Sequence, residues 1–302
     1  GQTAAPADRG TDMTIILDGG MGSELIRRGV GDARGLWSAR ALLEAPEAVV
    51  EVHRDYMAAG AEIIITNTYS TIPSYLGKLG MERRWLELTE LAGKLARSAV
   101  DGSASKALVA GSLPPLSESY RADLVPPDAD AQPLYRQMVE ALDPYVDLFI
   151  CETMSSAREA RNAASMARRH STKPVHVSWT LAEAAGAGLR SGETLAAALD
   201  GVADLVPDAL LFNCTSPQAI ASGLAQLAEL TDKPLGAYPN RFSVPDGWTL
   251  DGDAQTVRRE LSVEAFVNHA LQWRELGASL IGGCCGIGPE YISAAADRLR
   301  SA

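Results

Sequence analysis

The feature that most limits what this chain can become is an alternation repeated eight times. A short apolar or β-branched run ends in a small or polar cluster, and a segment with helical spacing follows. The runs are TIILD (14–18), EIIITN (62–67), ALVAGS (107–112), DLFICE (147–152), VHVSWT (175–180), ALLFNC (209–214), PLGAYPN (234–240) and SLIGGCC (279–285). Between them lie amphipathic stretches such as ERRWLELTELAGKLARSAV and SSAREARNAASMARR. Strands that read as continuous apolar runs are covered on both faces, the condition of a parallel sheet with helices packed around it. Eight such units in 302 residues predict an α/β fold, a single-domain (β/α)8 TIM barrel, ahead of an open doubly wound sheet. No Pro/Gly/Ser-rich linker divides the chain. The repeat is one of pattern rather than of residues, so a solenoid is excluded. The barrel is expected to occupy residues 13–302, after a flexible leader at 1–12, GQTAAPADRGTD.

Charge and composition remove several function classes. A formal net charge of −11 argues against a nucleic-acid groove or an anionic membrane surface. No apolar run approaches the roughly 20 residues of a spanning helix. The start carries no apolar segment that could act as a signal peptide. Four cysteines are too few for a disulfide scaffold, so a cytoplasmic location is expected and the thiols point to metal or redox chemistry. The composition sets no oligomeric state.

In a barrel of this kind, chemistry gathers on the loops at the carboxyl ends of the strands. Read in order, those ends are DGGMGSE, TNTYS, GSLPP, CETM, SWT, NCTSP, YPN and GGCCG. Polar and reactive residues concentrate there, beyond what turn chemistry alone supplies. Cys214 ends the sixth run, and Cys284 and Cys285 end the eighth, 70 residues or more downstream. No C-x-x-C pattern exists, so only the fold can unite these sulfurs. The sixth and eighth strands of a closed barrel both overlook its mouth. Three thiolates there would hold one ion and leave a fourth tetrahedral position open, as a catalytic zinc site does. Soft sulfur ligands favour Zn²⁺ over magnesium or calcium. Glycines 282, 283 and 286 let the backbone bend so that adjacent cysteines face one ion. Cys151, inside LFIC, reads as a small buried hydrophobe.

LDGGMGSEL, ITNTY, ETM, FNC and IGGCCG, in this order, resemble the homocysteine S-methyltransferase family, from about Thr14 to Leu299. GLWSARALLEAPEAV and AYPN are most similar to its free-standing branch, which uses S-methylmethionine or S-adenosylmethionine. The resemblance implies a zinc-dependent enzyme in which Cys214, Cys284 and Cys285 hold the ion and so activate the thiol of homocysteine. The sulfonium donor then gives its methyl group and methionine forms. It also implies that the backbone of Asp18, Gly19, Gly20, Met21 and Gly22 receives the homocysteine carboxylate; a helix start rich in glycine offers N–H donors to an anion. A nucleotide phosphate is the alternative there, but neither G-x-G-x-x-G nor a P-loop lysine is present. Glu152 is expected to hold the substrate ammonium group; its alternative is a helix N-terminal charge. Asn213 either bonds substrate or orients a loop.

Four aromatic or amide positions suggest a donor pocket. Trp37 offers a face to a sulfonium or quaternary ammonium group, or else packs. Tyr69 either lines the pocket or closes its strand. Tyr238 and Asn240 flank Pro239 beside the metal. The betaine-using branch carries a tyrosine directly after the glutamate; Thr153 stands there in this chain, which disfavours betaine. No segment resembles a cobalamin or folate module or a long C-terminal dimer arm, which points to a small sulfonium donor. Two alternatives remain: transfer to another small thiol or selenol, and a non-catalytic zinc-binding or redox-sensing barrel. The latter needs only the cysteines, and not DGGMGS, Glu152 and Trp37 at the same mouth.

Overall fold

The computed structural model describes residues 13–30, 37–244, 247–248, 257–258 and 261–301. The expected leader lies outside them. Each of the eight apolar runs contains or overlaps a strand: β1 (Ile15–Ile16), β2 (Ile63–Ile65), β3 (Leu108–Leu113), β4 (Leu148–Met154), β5 (Val175–Trp179), β6 (Ala209–Asn213), β7 (Leu235–Tyr238) and, after a two-residue hairpin pair β8 (Phe242–Ser243) and β9 (Val257–Arg258), β10 (Ala278–Ile281). The main sheet has the order β1-β10-β7-β6-β5-β4-β3-β2. A parallel bridge from Leu17 to Ile63 joins its two ends, and Glu62 N–H donates to Ile16 O at 2.7 Å. The sheet is therefore a closed parallel barrel, as the eightfold alternation predicts.

The helices are α1 (Met21–Arg27), α2 (Trp37–Glu44), α3 (Pro46–Ala58), α4 (Pro73–Gly77), α5 (Trp85–Asp101), α6 (Asp128–Leu142), α7 (Ala157–His170), α8 (Leu195–Asp200), α9 (Pro217–Leu230), α10 (Val263–Glu275) and α11 (Pro289–Arg300). Their starts are written locally. Ser156, Thr194, Ser216 and Ser262 each accept an N–H three residues on, which caps α7, α8, α9 and α10. Pro opens α3, α4, α9 and α11, where a missing N–H costs nothing.

Strand alternation divides the core in two. Leu17, Ile63, Ala110, Leu148, Ile150, Ala209, Leu211, Tyr238 and Leu280 fill the lumen. Their strand neighbours Ile16, Ile64, Val109, Phe149, Cys151, Leu210, Phe212 and Ile281 face the helix ring. With a period of two, the lumen row of β3 runs from Ala110 to Ser112, that of β4 from Ile150 to Glu152, and that of β6 from Leu211 to Asn213. The polar residues at the carboxyl end thus continue the inward-facing rows. Cys151 falls on the outward row and is fully buried. Burial drives its thiol far above the ordinary range, in keeping with a packing role.

Candidate active site

The first and last strands of the barrel are stitched together at the mouth. Gly283 N–H donates to Asp18 O at 2.9 Å, and Gly20 N–H donates to Ile287 O at 3.0 Å. The Tyr56 hydroxyl reaches Gly20 O at 2.7 Å and Ile287 O at 2.9 Å. Ser23 Oγ accepts from Gly286 N–H at 3.0 Å. Gly20 is required by this contact: a Cβ there would lie 2.9 Å from Cys284 O and 3.3 Å from Cys285 Cα. Gly286 takes a left-handed φ of +82°, which turns the chain directly after the cysteine pair. DGGMGS and GGCCG, separated by most of the sequence, form one surface.

Cys214 reaches that surface from β6. It adopts a left-handed φ of 53°, unusual for a residue with a Cβ. Its N–H donates to Tyr238 O at 3.2 Å and its carbonyl accepts from Thr180 Oγ1 at 3.2 Å. Cys284 N–H donates to Pro239 O at 2.8 Å. The sulfurs of Cys214, Cys284 and Cys285 all lie within 4.8 Å of one another. The Cys214 and Cys284 sulfurs meet directly, with Cα atoms 5.8 Å apart, and Cys285 stands beside them.

The donor set fits a metal ion. Four tetrahedral sulfur ligands at about 2.3 Å stand roughly 3.8 Å apart, compatible with the observed cluster. Cys285 is exposed as a residue. Its sulfur is nonetheless enclosed enough, and close enough to the Glu152 charge, for the thiol to be pushed up to about 11. A thiol in that position needs a cation beside it to ionise near neutral pH.

Behind the cysteines lies a buried acid. Glu152 is 6% exposed. Ser112 Oγ donates to its Oε2, and the Tyr238 hydroxyl donates to its Oε1 at 3.1 Å. Burial, outweighing these two hydrogen bonds, raises the Glu152 carboxyl above the usual range. Asp18, 4% exposed, accepts from Ile65 N–H at 2.9 Å. Burial first, and the Glu152 charge after it, raise this carboxyl well above its ordinary value. Two carboxyls sharing a buried mouth favour the arrival of a cationic group.

The remaining expected site residues are distributed as follows. Tyr238 is 1% exposed and points into the lumen, where it supports Glu152. Asn213 is fully buried. Its Oδ1 accepts from Thr153 N–H at 2.9 Å and from Ser178 Oγ at 2.7 Å, and its Nδ2 donates to Thr153 Oγ1 at 2.9 Å. Of the two roles open to it, these bonds serve the loop-orienting one. Gly19 and Gly22 lie in the loop and first turn of α1, and Met21 packs against the outer core. The Tyr69 hydroxyl bonds Ser119 Oγ at 2.5 Å. Asn240, 1% exposed, takes its place through an N–H to Thr215 O at 3.2 Å. Trp37 opens α2, but its side chain lies outside the described residues.

Sequence reasoning missed Ser112, Tyr120, Thr180 and Arg190. Ser112 was discoverable as the next inward position after Ala110. Arg190 carried a weaker signal, a single cation in the small-residue loop AEAAGAGLRSG.

Fold and site together define a class: a (β/α)8 barrel with a three-cysteine, metal-competent centre at its carboxyl-end mouth. The profile of a family described as Homocysteine S-methyltransferase matches residues 15–299. Homocysteine S-methyltransferase YbgG of Bacillus subtilis (strain 168) is 32% identical, over 95% of this chain and 95% of its own length. A selenocysteine methyltransferase of Astragalus bisulcatus is 30% identical, over 92% of this chain and 90% of its own. The crystal structure of the homocysteine methyltransferase MmuM from Escherichia coli in its metallated form superposes with a TM-score of 0.80 at 32% identity, over 94% of this chain and 96% of that one. The chain belongs to the homocysteine S-methyltransferase family, the family its motifs resemble.

Proposed function

We propose that this chain transfers a methyl group from a sulfonium donor, S-methylmethionine or S-adenosylmethionine, to the thiol of homocysteine, yielding methionine. The observation that carries the reading is the convergence of three cysteine sulfurs beside the buried Glu152 carboxylate at the barrel mouth. Cys214, Cys284 and Cys285 would hold Zn²⁺. When bound, the ion supplies the positive charge that lets a fourth sulfur ionise near neutral pH.

The chain's own residues bind and orient the acceptor. Glu152 presents a carboxylate whose position Ser112 and Tyr238 fix, and a carboxylate has lone pairs left for an ammonium group. An arriving ammonium compensates the buried charge that Glu152 and Asp18 otherwise bear alone. The Asp18–Gly22 backbone receives the carboxylate of the acceptor. The thiol proton departs to solvent. The thiolate lone pair forms the new S–CH₃ bond as the donor's C–S⁺ bond breaks, and that electron pair stays on the departing thioether. An anion and a cation become two neutral thioethers, so a site that excludes water lowers the barrier. Trp37 and Tyr69 are proposed walls for the donor. A centre that must keep three cysteines reduced suits the cytoplasm.

A selenol acceptor is the second reading, favoured by the likeness to the selenocysteine methyltransferase. The test is zinc per chain together with methionine formation from homocysteine against S-methylmethionine, S-adenosylmethionine, betaine and methylfolate. Turnover with a sulfonium donor and about one zinc per chain supports the proposal. Stoichiometric zinc without turnover on any donor or acceptor supports the metal-binding barrel instead.

A further inference from the structure

On the β5 and β7 side of the mouth stands a second polar group, joined to the cysteine centre by backbone. Arg190 N–H donates to Thr180 O at 3.4 Å, and Thr180 Oγ1 donates to Cys214 O at 3.2 Å. Asn240 N–H donates to Thr215 O at 3.2 Å, and Arg241 N–H donates to Cys285 O at 2.9 Å. Tyr120 lies between the two side chains. The Arg190 guanidinium carbon is 5.1 Å from its ring centroid, and Asn240 Nδ2 donates to its hydroxyl at 3.4 Å. Trp248 meets the Tyr120 ring edge to face at 5.4 Å.

Three side-chain atoms of this group have no hydrogen-bond partner, and one of them, Arg241 Nε, belongs to a guanidinium that lies over the Tyr291 ring. The Arg190 side chain is 7% exposed and reaches Glu183 Oε1 through Nη2 at 3.2 Å, yet its Nε–H is unpaired. Asn240 is 1% exposed, and its Oδ1 is unpaired. Buried donors and acceptors are rarely left unsatisfied without a reason. Arg190 Nε–H and Asn240 Oδ1, whose side chains both meet Tyr120, supply one cationic donor and one neutral acceptor beside the centre. That pair complements a carboxylate and an ammonium group, the two ends of an α-amino acid.

We propose that Arg190 and Asn240 read the amino-acid end of the methyl donor, Arg190 taking the α-carboxylate and Asn240 Oδ1 the α-ammonium group. The inference rests on the sulfonium-donor reading and assigns the residues that recognise the amino-acid end its two donors share. Neither residue touches the reacting atoms; both set specificity.

Three donors with the same reacting group separate the contacts. S-methylmethionine has both ends, dimethylsulfoniopropionate has only the carboxylate, and trimethylsulfonium has neither. With the zinc-loaded chain, Arg190→Met should raise the KM of the first two roughly 10-fold or more, the loss expected for a charge-assisted contact. It should leave the KM values of trimethylsulfonium and homocysteine within about 2-fold. Asn240→Leu should raise only the KM of S-methylmethionine. An equal change for all three donors, or none, overturns the proposal. If Arg190→Met does not fold, Arg190→Lys keeps a charge for Glu183 while losing the planar fork. That variant retaining the wild-type ranking of donors also overturns it. Calorimetric titration of S-methylmethionine without homocysteine, where no transfer occurs, separates the two readings. Binding weakened roughly 10-fold or more by Arg190→Met in a chain that makes no methionine upholds this inference and refutes the proposed reaction. Methionine formation with donor binding unchanged in Arg190→Met does the reverse.

Discussion

Asn213 grips Thr153 at two points across 60 residues of sequence: Oδ1 accepts the Thr153 N–H at 2.9 Å, and Nδ2 donates to Thr153 Oγ1 at 2.9 Å. Thr153 sits at a left-handed φ of 60°, where the register of β4 against β5 shifts between Cys151 and Met154. An irregularity of this kind re-aims the side chains around it, and the residue beside Thr153 is Glu152. A β-branched residue at positive φ is strained, so the surrounding bonds must hold it there. Asn213→Leu keeps the volume and removes the grip. It leaves the Thr153 N–H and the Ser178 hydroxyl buried without an acceptor. The expected cost is about 3 kcal/mol, read by denaturant unfolding, together with a raised KM for homocysteine as Glu152 loses its aim.

Glu152→Gln preserves shape and removes charge. The homocysteine KM should rise roughly 10- to 100-fold, as for loss of a charge-assisted contact. Zinc content should be unchanged and thermal stability equal or higher, because an uncompensated buried charge is gone. Steady-state kinetics beside metal analysis checks this.

Burial raises the Glu159 carboxyl to about 7 from an ordinary 4.5. It lies at the start of α7, where Oε1 accepts from Ser155 N–H at 2.8 Å. The folded chain therefore holds this proton more tightly than the unfolded chain. Stability from this group is full below about 4.5 and is lost as pH rises to about 7. The loss is about 3 kcal/mol for a shift of this size. Glu159→Gln, neutral throughout, should flatten the decline of Tm across that window; an unchanged decline would show that other groups cause it.

Oxidation would join two of the three sulfurs, which lie within 4.8 Å of one another, and remove them as ligands. Protein purified without reductant should take up little zinc, and treatment with a phosphine reductant should restore about one ion per chain. Cys151→Ala, on the outward row of β4, should leave zinc uptake and turnover intact and cost about 1 kcal/mol of stability. Metal analysis of the three samples, with turnover and denaturant unfolding of Cys151→Ala, decides both points.

The eight strands were legible because parallel strands buried on both faces are written as unbroken apolar runs. The cysteine trio was legible because thiols are rare and barrel topology says which strand ends meet. The hairpin of β8 and β9 was not, since two-residue strands carry no period. Nor was the support of Glu152. It depends on Ser112 and Tyr238 facing inward in register with it, and on a left-handed turn held from β6. Those relationships are fixed by strand pairing, which leaves no mark in the local sequence. Arg190 escaped for a similar reason: its neighbour Tyr120 comes from another loop, and its burial shows only in three dimensions.

The most direct test of the central claim is X-ray absorption at the zinc edge of the reduced, reconstituted chain, before and after homocysteine. Three sulfurs at about 2.3 Å, rising to four when homocysteine binds, are predicted. A shell dominated by nitrogen or oxygen, or one that homocysteine leaves unchanged, would contradict a three-cysteine centre that takes the acceptor's sulfur as its fourth ligand.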